Sequence, residues 1–276
     1  MIKLIASDID GTLLLEGMKA LRPELYNMIQ ELKKHNIHFV AASGRQLESL
    51  YKLFSPVADD ISYIAENGAI CMHQGKNYVI SEFERDFAMR IITEVEKCPN
   101  CKLAVSTPNT QYIKNGDANF YEYMSNQLSY NITAIDSFES IDEPIVKIAF
   151  HDTVTTQTSY EHFQTILGKE IKIANAGNSW IDFIPYDSNK GTALKFILEE
   201  MNLTATEAIS FGDQQNDIEM LEYAGTSYAM AHASAEIQRH ATNITESVER
   251  ILKELLKTHQ SIITTEHQKH MAKCLS

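Results

Sequence analysis

Asp8, Asp10, Ser43, Lys190, Asp213, Asn216 and Asp217 are the residues of this sequence whose types and spacing could do chemistry. Asp8 and Asp10 stand one residue apart in Ser7-Asp8-Ile9-Asp10-Gly11-Thr12-Leu13-Leu14, directly after the short run Ile2-Lys3-Leu4-Ile5-Ala6. Asp213, Asn216 and Asp217 share the stretch Gly212-Asp213-Gln214-Gln215-Asn216-Asp217. Carboxylates gathered at one place repel one another unless a cation sits between them. Oxygen ligands without clustered Cys or His favour a hard ion, so Mg²⁺ is the expected cofactor, held by one or two carboxylates with waters and a substrate phosphate. A lysine at the same edge offers a point positive charge to that phosphate. A carboxylate can attack phosphorus and form an aspartyl-phosphate, which splits one difficult displacement into two easier ones. A second acid two residues on can protonate the leaving oxygen and then deprotonate the attacking water. Gly11 lets the chain turn sharply and brings backbone N–H groups close to phosphate.

These residues need elements that carry them to one place. Lys3 to Asp8 reads as a buried strand, and Pro23 to His35 as an amphipathic helix with Leu25, Met28, Ile29 and Leu32 at helical spacing. His38 to Ala42 is the next strand, Arg45 to Phe54 a helix, and Ile61 to Ala65 a third strand, followed by the turn signal Glu66-Asn67-Gly68 and a hairpin over Cys71 to Ile80. This alternation predicts a parallel sheet with helices on its faces. From Phe83 the rhythm changes. Helices are expected over Phe83 to Lys97, Asp117 to Leu128 and Thr155 to Leu167, and strands over Lys102 to Val105, Thr110 to Ile113, Ile145 to Phe150, Glu170 to Ala174 and Ser179 to Ile184. After Pro185 the first rhythm returns: helix Asn189 to Met201, strand Ala208 to Phe211, helix Asn216 to Tyr223, strand Ser227 to Met230 and helix Ser247 to Lys257. In an open parallel sheet, ligands bind beyond the carboxyl ends of the strands. Asp8 to Thr12, Ser43-Gly44-Arg45 and Gly212 to Asp217 each follow a predicted strand, and Lys190 opens a predicted helix, so all of them are expected at one edge.

The 276 residues are 44% hydrophobic and 22% charged, which suits a globular protein of one large domain or two medium ones. A net charge of −13 argues against a nucleic-acid binder. Four cysteines are too few for a disulfide scaffold, and Cys98-Pro99-Asn100-Cys101 lacks the second pair a zinc site needs, so it reads as two ordinary thiols. No signal peptide and no long apolar run is seen, and a cytoplasmic location is expected. The tail from His259 to Ser276 is weakly patterned and receives no role.

The sequence resembles the haloacid dehalogenase-like phosphatases, and among them the Cof-like group. The resemblance rests on Asp8-Ile9-Asp10-Gly11-Thr12-Leu13, Ala42-Ser43-Gly44-Arg45, Asn189-Lys190-Gly191 and Gly212-Asp213-Gln214-Gln215-Asn216-Asp217, in that order along nearly the whole chain. It implies a Rossmann-like α/β core over 1–82 and 186–276 with an inserted α+β cap of the C2 type over 83–185, which closes on the site and selects the substrate. The 147 positions from Ser43 to Lys190 are too many for a loop, as such a cap requires. By motif, the resemblance implies that Asp8 is the nucleophile and Asp10 the general acid/base, its carbonyl also touching the metal. It implies that Ser43, with Gly11, Gly44 and Arg45, meets the phosphate, that Lys190 neutralises charge, and that Asn216 positions phosphate or the lysine. It also implies that Asp213 joins Asp8 on Mg²⁺ and that Asp217 supports the metal. One departure lies beyond Met230, where Ala231-His232-Ala233 replaces the family's usual Gly-Asn-Ala.

Other readings use the same residues. Asp217 could instead be a first-turn carboxylate favoured by the helix dipole, and Arg45 could face substrate or solvent. Trp180, Tyr121, Tyr123 and Tyr130 read as packing. The expectation is a Mg²⁺-dependent phosphatase, monomer or homodimer, acting on small phosphorylated metabolites such as sugar phosphates or phosphorylated cofactors, with neither nucleic acid nor membrane as a partner. The alternatives are a phosphomutase of the same family and a receiver-like phospho-accepting signalling module. The latter is about half this length and has no inserted segment.

Overall fold

Apolar runs short enough for strands, separated by polar turns and amphipathic stretches, fold as their patterns require. A computed structural model describes residues 1–258 apart from 16, 19, 128, 129, 153, 155 and 178, so the tail, Cys274 and the expected role-free segment 259–276 lie outside the described residues. Along the chain come β1 (Leu4–Asp8), α1 (Pro23–Lys34), β2 (His38–Ala42), α2 (Leu47–Leu53), β3 (Ser62–Ala65), β4 (Ile70–His73) and β5 (Lys76–Val79). Next are α3 (Arg85–Glu96), β6 (Lys102–Ser106), β7 (Gln111–Lys114), α4 (Ala118–Glu122), β8 (Ile132–Ile135), β9 (Lys147–His151), α5 (Thr156–Leu167), β10 (Lys172–Gly177) and β11 (Trp180–Ile184). The last are α6 (Lys190–Glu200), β12 (Ala208–Gly212), α7 (Ile218–Tyr223), β13 (Thr226–Met230), α8 (Ala235–Gln238) and β14 (Asn243–Thr245), followed by helix over 248–258.

The chain divides into two compact units. One takes Met1–Ala42, Leu53–Ser62 and the described residues from Leu194 on; the other takes Ser43–Lys52 and Tyr63–Ala193.

In the first unit five strands run in the order β14-β13-β12-β1-β2, all parallel. Leu4, Ile5, Ala6, Phe39, Val40 and Phe211 are buried, as strands covered on both faces must be. α1 starts at Pro23, which fixes φ for the first turn and lacks an N–H that would have no partner there. It ends on Lys33 and Lys34, which oppose the negative end of the helix dipole. Its buried stripe is Leu25, Ile29 and Leu32, each contributing roughly 1.5–3 kcal/mol by burial. β1 has β2 on one side and β12 on the other, so the chain leaves it in two directions, and a crevice opens at its carboxyl end.

In the second unit β3, β4 and β5 form an antiparallel meander. Its hairpin turns at Gln74 and Gly75, both left-handed (φ 51° and 73°), the backbone that matches strand twist. A six-stranded sheet runs β10-β11-β9-β6-β7-β8, antiparallel except for β7 and β8. One face packs on α3 and α5: Leu103, Val105, Ile148, Phe150, Ile181 and Phe183 meet Ile91, Ile92, Val95, Phe163 and Leu167.

The structure corrects several expected bounds. The helix expected over Asp117 to Leu128 is the short α4, capped by the Asp117 carboxylate accepting from the Phe120 N–H, and then a widened π turn over Tyr123–Gln127. The helix expected from Asn216 begins as a 3₁₀ turn over Gln215–Asp217 and becomes α-helical at Ile218. The helix expected from Arg45 begins at Leu47, because the Arg45 carbonyl is turned to accept from the Glu66 N–H at 3.0 Å. β8, α8 and β14 are additional elements. All three are short, and β8 and β14 end their sheets, where one missing neighbour weakens the alternation of polar and apolar residues.

Candidate active site

Asp8 is the last residue of β1, and the register that sets Ser7 beside Phe211 brings Asp8 level with the end of β12. Asp213 is the first residue past β12. Asp8, Asp213 and Asp217 each offer a carboxylate oxygen, and these oxygens lie within 4.8 Å of one another. Three carboxylates so close, two of them buried, repel unless a cation joins them. The Asp213 carboxyl is pushed above the usual carboxylate range by burial and by the charge of Asp217, against the downward pull of Thr12 and His232. An all-oxygen set of this kind fits a hard divalent ion.

The loops around this cluster are shaped to hold it. Gly11 has φ +96°, and a Cβ there would sit 2.2 Å from Asp213 Oδ2, so glycine is required for both conformation and space. Thr12 donates through Oγ1 to Asp213 Oδ1 at 2.9 Å. Ile9 anchors the turn: its carbonyl accepts from the N–H groups of Leu13 at 2.9 Å and Leu14 at 2.8 Å, and Asp10 pairs with Leu14 at the turn's edge. Asp217 is buried, and its Oδ2 accepts from the backbone N–H groups of Asp213 and Gln214, each at 3.0 Å. One of its oxygens therefore shapes the loop that carries Asp213, which makes Asp217 a support for that loop. Asn216 sits exposed on the same 3₁₀ turn. His232 lies with Nε2 3.5 Å from Asp213 Oδ2, so the Ala231-His232-Ala233 departure places an imidazole beside the cluster.

The second unit carries Ser43, Gly44, Arg45 and Lys190. Ser43 is buried; its N–H donates to the Ile64 carbonyl at 2.8 Å, and its Oγ accepts from the Arg45 N–H at 3.1 Å, leaving the hydroxyl proton to be donated elsewhere. Lys190 opens α6 and its side chain is fully enclosed, an unfavourable place for an ammonium at a helix N-terminus and one that helix stability does not explain. Asn189 caps the helix, its Oδ1 accepting from the Thr192 N–H at 2.7 Å.

The turn between β3 and β4 links these two segments. Glu66 (φ 48°), Asn67 (φ 56°) and Gly68 (φ 101°) are consecutive left-handed residues. Each non-glycine residue there costs roughly 1–2 kcal/mol, and such backbone persists only where its surroundings impose it. The Asn67 N–H donates to the Ser43 carbonyl at 3.1 Å, and a Cβ on Gly44 would sit 2.9 Å from Asn67 Oδ1. A Cβ on Gly68 would sit 2.2 Å from the Asn189 carbonyl oxygen and 3.0 Å from the Lys190 nitrogen. The sequence pattern marks Glu66-Asn67-Gly68 as a turn and places Thr12 at the site edge without a role of its own, and it gives Lys147 none. The available signal was a lone charge inside each of two apolar strands, Lys147 in Ile145-Val146-Lys147-Ile148-Ala149-Phe150 and Asp182 in Trp180-Ile181-Asp182-Phe183-Ile184.

The remaining candidates behave as ordinary side chains. Cys71, Cys98 and Cys101 are free thiols, and Cys101 is pushed up to about 12 by burial and by Cys98, which makes it a poor nucleophile. Trp180 packs with Phe120, Tyr123 and His151 in a stacked aromatic cluster. No helix among the described residues is long and apolar enough to cross a membrane.

The chain is similar to known proteins over most of its length. The model of one family, haloacid dehalogenase-like hydrolase, matches residues 5–254. The 5-amino-6-(5-phospho-D-ribitylamino)uracil phosphatase YbjI of Escherichia coli is 27% identical over 263 residues, covering 93% of this chain and 97% of that one. A solved structure from Eubacterium rectale superposes with a TM-score of 0.79 at 28% identity, covering 95% of this chain and 99% of that one. A haloacid dehalogenase-like hydrolase from Bacillus subtilis shares the fold with a TM-score of 0.76 at 22% identity, covering 92% and 100%.

Proposed function

Because the chain belongs to the haloacid dehalogenase-like hydrolases and is a phosphatase acting on phosphorylated substrates, we propose that it works with Mg²⁺ through an aspartyl-phosphate on Asp8. The cluster of Asp8, Asp213 and Asp217, with oxygens within 4.8 Å, carries this reading. Asp8, Asp213 and the carbonyl of Asp10 would hold the ion, with Asp217 behind them, and Mg²⁺ when bound supplies positive charge to the phosphoryl oxygens. The Asp8 carboxylate attacks phosphorus while the bond to the leaving oxygen breaks, and the Asp10 carboxyl gives its proton to that oxygen. Asp10, now ionised, takes a proton from water as the water attacks the phosphorus of the intermediate, which frees Asp8 and inorganic phosphate.

In this scheme Ser43 donates its hydroxyl proton to a phosphoryl oxygen, and Gly11, Gly44 and Arg45 surround the phosphate. Lys190 neutralises its charge and Asn216 orients it. Segment 83–185 acts as the cap that selects the substrate, and segments 1–82 and 186–276 as the core. For substrate we propose a small phosphorylated metabolite. The relative that acts on a phosphoribitylamino-uracil puts a polyol phosphate on a pyrimidine first among candidates, ahead of simple sugar phosphates.

The experiment is release of inorganic phosphate from a metabolite panel and from p-nitrophenyl phosphate, with Mg²⁺, with chelator, and in Asp8→Asn. Loss of turnover in chelator and in the variant is expected. An Asp8→Asn protein at the wild-type rate would overturn the nucleophile. Isomerisation of glucose 1-phosphate without phosphate release would point to a mutase, and one stoichiometric phosphorylation without turnover to a receiver-like module.

A further inference from the structure

Strands of the six-stranded sheet alternate their side chains, and the face turned away from α3 and α5 carries Ser106, Lys147 and Asp182. All three are buried, Lys147 with only 6% of its surface exposed. Glu66, itself 1% exposed, covers them from the β3–β4 turn. Lys147 Nζ lies 2.5 Å from Glu66 Oε2, 3.3 Å from Asp182 Oδ2 and 3.5 Å from the Gly44 carbonyl oxygen, to which it donates. Gln111 Nε2 donates to Ser106 Oγ at 3.0 Å and extends the network across the sheet. Burial opposes the Lys147 charge, but Asp182 and Glu66 outweigh it and hold the ammonium protonated.

A buried cation between two carboxylates is a poor device for stability, since apolar residues of the same shape do as well or better. Its value lies in fixing geometry, and what it fixes here is specific. Glu66 donates its N–H to the Arg45 carbonyl at 3.0 Å, Asn67 donates to the Ser43 carbonyl at 3.1 Å, and Lys147 takes the one carbonyl between them, that of Gly44. Three successive carbonyls are thus pinned, and the same turn carries the left-handed backbone of Glu66 and Asn67.

We propose that Lys147 is a positioning residue: by gripping Glu66 and the Gly44 carbonyl from the sheet, it holds the Ser43-Gly44-Arg45 turn in the shape that presents the Ser43 hydroxyl to the phosphoryl group. The inference rests on the phosphate-binding role proposed above for Ser43. Lys147→Met alone strands two buried carboxylates and risks unfolding, so the decisive protein combines Lys147→Met, Glu66→Gln and Asp182→Asn, which keeps the shapes and removes the charges. Its melting temperature, its kcat/KM for p-nitrophenyl phosphate with Mg²⁺ and its inhibition by vanadate are compared with wild type, in parallel with the same set in a Ser43→Ala background. The expected result is a folded protein with kcat/KM and vanadate affinity each reduced about 30- to 100-fold, because small misplacements of a positioning group cost that much. In the Ser43→Ala background the same three changes cost less than about threefold, since they act through a hydroxyl already removed. A folded triple variant with wild-type kcat/KM, or an equal loss in both backgrounds, overturns the inference while leaving the phosphatase reading intact. Full activity of Ser43→Ala by itself removes the premise and the inference together, and is seen without any change at Lys147.

Discussion

The Thr12 hydroxyl donates to Oδ1 of Asp213 at 2.9 Å, joining residues 201 positions apart and tying the turn after β1 to the loop after β12. Burial raises the Asp213 carboxyl, and this hydrogen bond favours its ionised form. Thr12→Val keeps the shape and removes the donor. The expected outcome is a Mg²⁺ affinity weaker by about 10- to 100-fold, the range found when a partner of a metal-binding carboxylate is lost. Isothermal titration with Mg²⁺ checks it, and unchanged affinity would show that Thr12 serves packing alone.

Gly68 and Gly75 both have positive φ, yet their surroundings differ. Nothing lies within 4 Å of a Cβ at Gly75, whereas one at Gly68 would strike the Asn189 carbonyl at 2.2 Å. Gly75→Ala should therefore lose roughly 1–2 kcal/mol, the cost of the left-handed conformation alone. Gly68→Ala should lose at least about 3 kcal/mol, because backbone must also shift. Urea unfolding of the two variants measures the difference, and equal losses would contradict it.

The capping box at Thr204 and Glu207 gives a pH signature. The Glu207 carboxylate accepts from the Thr204 N–H at 3.0 Å, and that bond, with the Thr204 hydroxyl, lowers its folded-state pKa below the ordinary glutamate value. A carboxyl depressed in the folded state contributes stability above its unfolded pKa and loses it as pH falls through the folded one. Wild type should melt above Glu207→Gln at neutral pH, and the gap should close as pH falls through the lowered pKa of the folded state. A gap that stays constant down to acid pH would mean the charge is irrelevant.

Phe150 packs against both Phe163 and Phe183, with ring centroids 5.2 and 5.5 Å away, in the core on one face of the six-stranded sheet. Phe150→Ala should cost about 3–5 kcal/mol, the sum of lost transfer energy and the cavity left behind. Denaturant unfolding tests this, and a loss below about 2 kcal/mol would indicate that the core collapses around the gap.

Much of this architecture is legible along the chain because its strands are buried on both faces. Leu4 to Ala6 and Phe39 to Ala42 are wholly apolar, and the helix between them shows its stripe and both end signals. Asp8, Asp213 and Asp217 could be brought together in advance because strand ends in a parallel sheet share an edge. Lys147 is different. Its meaning depends on Glu66 and Asp182, partners 81 and 35 positions away, and no local pattern encodes that pairing. β8 was hidden for a related reason: Asn131-Ile132-Thr133-Ala134-Ile135 has no apolar face strong enough to outweigh its turn-like start, and only pairing with β7 makes it a strand.

The pairing of Leu4 with Ala208 has a consequence for synthesis. β1 leaves the ribosome roughly 10–40 s before its neighbour β12 is made at ordinary elongation rates. Through that interval one edge of β1 stands open, and Asp8 has no Asp213 beside it. Residues 63–193 are complete only about 1–3 s before β12 begins, so the second unit has little time to fold by itself before the halves of the parallel sheet can meet. The carboxylate cluster of Asp8, Asp213 and Asp217 therefore cannot assemble until β12 and the turn after it have been translated.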